Sequence, residues 1–142
     1  MSLTLYGYWR STASYRVRIA LNLKGVEYQY VPVHLVNEGG QQHSAPYKQL
    51  NPAQLVPTLV DDDEDIILNQ SLAIIEYLDE RFPSPYQLIP SHKTERARVR
   101  ALAQDIACDT QPLSNLRVLN QLKNEYSAEQ ESVNKWAAHW IT

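Results

Sequence analysis

Between Leu3 and Val33 the hydrophobic pattern changes period twice, and this constrains the fold more than any other feature. Leu3-Thr4-Leu5-Tyr6 alternates and is rich in strand formers, a short first strand. From Thr12 to Lys24 the apolar residues recur at helical spacing, and Gly25 stops the run. Residues 27–33, EYQYVPV, read as a second strand with Pro32 near its end. A strand, a helix and a strand in succession make a crossover connection. It pairs two parallel strands and lays the helix over one face of the sheet.

The rest of the chain extends that nucleus. Residues 37–42 (NEGGQQ) are expected as loop, and 50–54 as a turn around Asn51-Pro52. Residues 57–60 and 66–68 read as two short strands. The acidic turn Asp61-Asp62-Asp63-Glu64-Asp65 joins them into a hairpin. A helix is expected over 71–82, broken by Pro83-Ser84-Pro85. Beyond it only helical signals remain, over 94 to about 119 and from 128 to the end of the sequence. The expected fold is an α/β thioredoxin-like domain, a mixed four-stranded sheet with helices, followed by an all-α domain. The boundaries are 1–82 for the first domain, 83–91 for a linker and 92–142 for the start of the helical one.

At 100° per residue, Tyr15, Ile19, Leu23, Ala20, Val17 and Leu21 share one wide arc of the first helix, and Arg18 and Asn22 mark its wet edge. Arg16 falls inside the apolar arc, where a charge needs a partner. Snorkelling and a buried ion pair both remain open for it. In the helix over 71–82, Ile74, Ile75, Tyr77, Leu78 and Phe82 form one face, and Glu76, Asp79 and Glu80 the other.

Composition narrows the function. The net charge of −3, without a basic block, argues against nucleic acid as a partner. No apolar run approaches the roughly 20 residues of a membrane helix, and the sequence opens without a secretory pattern. One cysteine, Cys108, excludes an intrachain disulfide and a cysteine-based metal site. His34, His43, His92 and His139 lack ligand-like spacing, so no metal is expected. These features suit a reducing cytoplasm.

The hydroxyl-rich turn Ser11-Thr12-Ala13-Ser14 then carries the chemistry. It opens a helix after a strand, where the first N–H groups lack partners and the helix dipole is positive. Such a place favours anions and lowers a thiol's pKa. A redox protein of this fold would hold two cysteines there. With Ser11 and Ser14 instead, a stabilised thiolate must come from a ligand.

Four stretches carry a resemblance: STASYRVRIAL from Ser11, NPAQLVPTL from Asn51, NQSLAIIEYL from Asn69 and TQPLSNL from Thr110. In this order they resemble the glutathione transferase family, zeta class. The resemblance implies glutathione as cofactor and a set of site residues. Ser11 would hydrogen-bond the glutathione sulfur, with Thr12 and Ser14 as weaker candidates for the same work. As a plain N-cap, Ser11 is worth about 1 kcal/mol. Val56, before a cis Pro57, would pair its backbone with the cysteinyl group. Gln70 and Ser71 would hold the γ-glutamyl end, with Ser71 also able to cap its helix. Gln42 would lie near the glycyl end. Gln111, Asn115 and Arg117 would stand beside the site. Gln111 and Asn115 are four apart and are expected to share a helix face with Cys108, bent at Pro112. Cys108 itself reads as a small buried residue. Arg10 and Arg117 are cations that could meet a substrate carboxylate, or plain solvated arginines.

The implied activity is glutathione-dependent cis–trans isomerisation of maleylacetoacetate to fumarylacetoacetate, by thiolate addition, bond rotation and thiolate departure. Conjugation of other electrophiles, maleylpyruvate isomerisation or dehalogenation of α-haloacids in the same site is the alternative. A non-enzymatic interaction protein of this fold is a third. The motif cysteine is replaced by Ala13. The resemblance also implies a homodimer, and a helical domain running about half a domain beyond Thr142.

Overall fold

The computed structural model describes residues 3–140. Their contacts divide at Ile89/Pro90 into two compact units. In the first, β1 (Leu3–Gly7), β2 (Gln29–Pro32), β3 (Thr58–Asp61) and β4 (Ile66–Asn69) form one sheet in the order β2-β1-β3-β4. β1 and β2 are parallel, and both β1/β3 and β3/β4 are antiparallel. This is the mixed four-stranded sheet expected from the sequence.

Helices α1 (Thr12–Lys24) and α3 (Ser71–Arg81) pack together on one face of the sheet. Leu3, Leu5 and Leu59 meet Val17, Ala20, Leu21, Ile74 and Leu78 in a single apolar cluster there. Alternation sends Tyr6 to the other face. Its ring lies 6.2 Å from that of Tyr47 on a short helix, α2 (Ala45–Leu50). The sequence reading had no helix here. The signal was Ser44-Ala45-Pro46, for the Ser44 hydroxyl caps the Tyr47 N–H and Pro46 sits in the first turn. Part of the expected 37–42 loop is likewise wound into two short 3₁₀ turns, Asn37–Gly39 and Gln41–His43.

The apolar arc of α1 is only half used. Val17, Ala20 and Leu21 are buried, together with Ser14 and Lys24. Tyr15, Ile19 and Leu23 are about half exposed, at 54%, 43% and 48%. Arg18 stacks on the rings of Tyr15 and Tyr30. Gly25 closes the helix at φ 62°, a left-handed conformation that costs glycine little.

Asp79 corrects the reading of α3. It was expected on the wet face, yet it is buried, and it forms an ion pair with the fully buried ammonium of Lys24. Lys24 also donates to the Tyr86 carbonyl. The Asp79 carboxylate accepts from Leu88 N–H at 2.7 Å and Ile89 N–H at 3.0 Å. One charge pair thus ties α1, α3 and the segment following α3. A second carboxylate, Asp61, accepts from the Tyr77 hydroxyl at 2.6 Å. Burial, then this bond and the Asp61 charge, push the Tyr77 pKa up to about 12.

The second unit departs further from expectation. Instead of one helix to about 119, α4 (Lys93–Gln104) passes into wider π-type turns over Asp105–Thr110 and a 3₁₀ turn over Gln111–Ser114. A new helix, α5 (Leu116–Asn124), then begins. Pro112 is the physical cause: it has no N–H, and its ring would strike the carbonyl four residues earlier. The last helix is α6 (Gln130–His139), and its Trp136 indole donates to the Leu113 carbonyl at 2.7 Å. Ile141 and Thr142, which the sequence places in a helical pattern, lie outside the described residues. Among the described residues no helix is long and apolar enough to cross a membrane.

Candidate functional site

Strand register gathers the first-unit candidates at one end of the sheet. Gly7 is the last residue of β1 and pairs with Pro32, the last of β2. Tyr6 pairs with Thr58, the first residue of β3, which pairs with Asn69, the last of β4. The segments leaving β1 and β4, which hold Ser11 and Gln70-Ser71, and the segment entering β3, which holds Val56, therefore all lie at the same edge. Gln42 joins them through the chain leaving β2, because its Nε2 donates to the Leu35 carbonyl at 3.4 Å.

The turn from β1 into α1 is tight. A Cβ on Gly7 would lie 3.1 Å from the Tyr30 ring and 3.2 Å from Ser14 Cβ, so a larger residue would push strand and helix apart. Ser11 is the N-cap of α1, and its Oγ accepts from Ser14 N–H at 3.1 Å. That bond uses an oxygen lone pair and leaves the Ser11 hydroxyl proton to be donated elsewhere. Capping and donation to a ligand are thus compatible. Thr12 is exposed at the first helical position. Ser14 must be withdrawn as a ligand-facing candidate. It is fully buried, and its Oγ accepts from Tyr8 N–H at 3.4 Å. Arg10 is exposed and lies over the exposed Trp9 ring.

The loop before β3 is braced by a buried polar network that the sequence reading missed. Asn51 Oδ1 accepts from Ala53 N–H at 3.0 Å, and Asn51 Nδ2 donates to the Leu55 carbonyl at 2.7 Å and to Thr58 Oγ1 at 3.2 Å. The Tyr47 hydroxyl donates to the same carbonyl at 2.7 Å, and Thr58 donates to Asn69 Oδ1 at 2.9 Å. Burial raises the Tyr47 pKa against the lowering pull of Thr58 and Asn51. The network fixes the backbone on both sides of Val56, whose peptide bond to Pro57 is cis, as the resemblance implied. Asn51-Pro52 had signalled only a turn; the paired buried hydroxyl and amide were not visible from spacing.

Gln70 is the N-cap of α3, at φ 73° and ψ 112°, and its side chain makes no capping hydrogen bond. A non-glycine residue held there costs on the order of 1–3 kcal/mol, which places strain at this turn. Ser71 is the first helical residue, not the cap. It is buried, and its Oγ accepts from Arg16 Nη1 at 3.2 Å. Arg16 therefore reaches a hydroxyl across the α1–α3 contact. Gln42 is buried at 8% exposure, and its Oε1 has no hydrogen-bond partner. An orphaned buried acceptor is costly unless something supplies a donor.

In the second unit the shared helix face does not exist. Gln111 opens the 3₁₀ turn, whereas Asn115 is extended and caps α5, its Oδ1 accepting from Val118 N–H at 3.2 Å. Arg117 is exposed in the first turn of α5. Cys108 is exposed in the π-type turns, not buried as expected.

A four-stranded sheet in the order β2-β1-β3-β4, with a serine-capped strand-to-helix turn and a braced loop ending in a cis proline at one edge, defines a thioredoxin-like domain. Residues 5–86 match the family described as "Glutathione S-transferase, N-terminal domain". The chain belongs to the glutathione S-transferase family. It is 55% identical over 141 residues to a protein of Vibrio cholerae named "Probable maleylacetoacetate isomerase", covering 99% of this chain and 64% of that one. A solved holo structure of a maleylpyruvate isomerase, described as a zeta-class bacterial glutathione S-transferase, is similar at TM-score 0.88 and 46% identity, over 97% of this chain and 63% of that one. A maleylacetoacetate isomerase from Methylobacterium extorquens AM1, solved with malonate and glutathione, is similar at TM-score 0.87 and 41% identity, over 97% and 63%. The zeta-class resemblance of the motifs is thereby borne out. The chain spans about 64% of the length of the first curated relatives it matches.

Proposed function

We propose that the sheet edge binds glutathione and that the whole protein is a glutathione-dependent cis–trans isomerase of an unsaturated keto acid, maleylacetoacetate being the favoured substrate. The observation that carries this reading is Ser11: it caps α1 and keeps a hydroxyl proton to donate at the positive end of the helix. A bound thiolate supplies a nucleophile that can add to an activated cis double bond and leave it again.

The protein's own residues bind and orient. Ser11 donates to the sulfur, and the α1 N-terminus favours its anionic form. The exposed Thr12 hydroxyl stands next to it. The backbone of Val56 offers strand-like pairing to the cysteinyl group. Gln70 and Ser71 hold the γ-glutamyl end where α3 begins. The orphaned Gln42 Oε1 fits an N–H donor near the glycyl end. Gln111, Asn115 and Arg117 enter this reading on the resemblance alone, as further residues for the cofactor, with Arg117 also a cation for a substrate carboxylate. The reading includes a homodimer and a cytoplasmic location.

Maleylacetone, assayed beside an aryl halide with glutathione present, tests it. The expected result is isomerisation without consumption of glutathione. Stoichiometric conjugation of the aryl halide, with no isomerisation, would replace this reading by the transferase one.

A further inference from the structure

The Arg16 guanidinium lies between α1 and α3, on the arc of α1 where apolar residues dominate, and donates from Nη1 to Ser71 Oγ at 3.2 Å. Ser71 is only 7% exposed, so this hydroxyl has few orientations open to it. We propose that Arg16 is a positioning residue for the γ-glutamyl carboxylate: it occupies a lone pair of Ser71 Oγ, turns that hydroxyl's proton toward the ligand, and adds a fixed positive charge behind it. The inference rests on glutathione being the ligand of this edge.

The argument is one of donor and acceptor counting. A serine hydroxyl has one proton and two lone pairs. Left alone at a helix start, it can turn its proton toward a nearby carbonyl and face an incoming anion with lone pairs, which repel it. An N–H donated by a cation removes that option, because the hydroxyl proton must then point away from Arg16 Nη1. A carboxylate arriving at the start of α3 meets an O–H donor with an arginine charge behind it. Both features strengthen a hydrogen bond to an anion. Arginine suits the place because its charge persists at any working pH and its planar fork holds direction, which an ammonium does not. The position was legible in the sequence as a charge in an apolar arc. Its target was not, since Ser71 lies far along the chain.

The test compares two ligands by calorimetry: glutathione, and its analogue with 4-aminobutyrate replacing the γ-glutamyl residue, which lacks only the α-carboxylate. The wild-type chain is expected to prefer glutathione. Arg16→Met is expected to lose about tenfold in glutathione affinity, the scale of one hydrogen bond to a charged group, with little change for the analogue. Arg16→Lys, which restores charge without the fork, is expected to recover part of the loss. In a Ser71→Ala background Arg16→Met should cost much less than in the wild type, because Arg16 acts through that hydroxyl. Far-UV circular dichroism and urea melts of each variant report its folding. Equal losses for both ligands, or an unchanged preference for glutathione, would overturn the proposal while leaving glutathione as the ligand. A folded wild-type chain that binds neither would overturn this inference and the functional reading together.

Discussion

Ser11→Ala is expected to raise the pKa of the bound glutathione thiol by about one to two units, the equivalent of one hydrogen bond to a charged group at about 1.5–3 kcal/mol. The rate of isomerisation at neutral pH should fall with it. The same change removes the cap on Ser14 N–H, so stability should also drop, by about 1 kcal/mol. The two effects are separable. Thiolate absorbance of the glutathione complex against pH reads the first, and urea denaturation reads the second. The α1 N-terminus stays in place, so the pKa should stop short of the free thiol's value. Thr12→Ala should move it less. Ser14→Ala should alter stability and leave the thiol alone, because Ser14 is buried against Tyr8 N–H. A drop in stability with an unchanged thiol pKa would reduce Ser11 to a cap.

Asp79→Asn is expected to cost about 3–5 kcal/mol of stability, because it leaves the buried Lys24 ammonium without its counter-charge. Desolvation alone would raise the Asp79 pKa. The Leu88 N–H, the Lys24 ammonium and the Ile89 N–H outweigh it and hold the carboxyl below its ordinary range. The sign follows by linkage. The carboxyl is easier to ionise when folded, so its contribution is complete above the unfolded pKa of about 4 and is lost as pH falls through the lower folded value. Urea midpoints of the wild type should therefore decline on acidification over that window. Asp79→Asn should flatten this part of the profile as well as lowering its plateau. Parallel profiles for the two proteins would show that Asp79 does not supply the pH dependence.

Much of the architecture could be read from local signals. Period changes around Thr12 and Gly25 located α1, and the parallel β1/β2 pair followed from the crossover. Errors arose where the cause was not local. Asp79 and Lys24 look like ordinary surface charges in their own helices, and only the pairing of α1 with α3 makes them a buried couple. Tyr15, Ile19 and Leu23 look like core by periodicity, but the sheet and α3 cover only one side of α1. Pro112 was expected to bend a helix; it ends one, and Asn115 caps the next. At the site, Ser11 and the Ser71 helix start could be found from chain position. The Asn51–Tyr47–Thr58 brace could not, because its side chains, though close in sequence, sit on a helix, a loop and a strand whose mutual placement no periodicity states.

Calorimetric titration of the chain with glutathione tests the central claim, that this sheet edge is a glutathione site, most directly. The account predicts saturable binding at millimolar glutathione or below, weakened by Ser71→Ala. A folded sample giving no saturable heat through the millimolar range would contradict it.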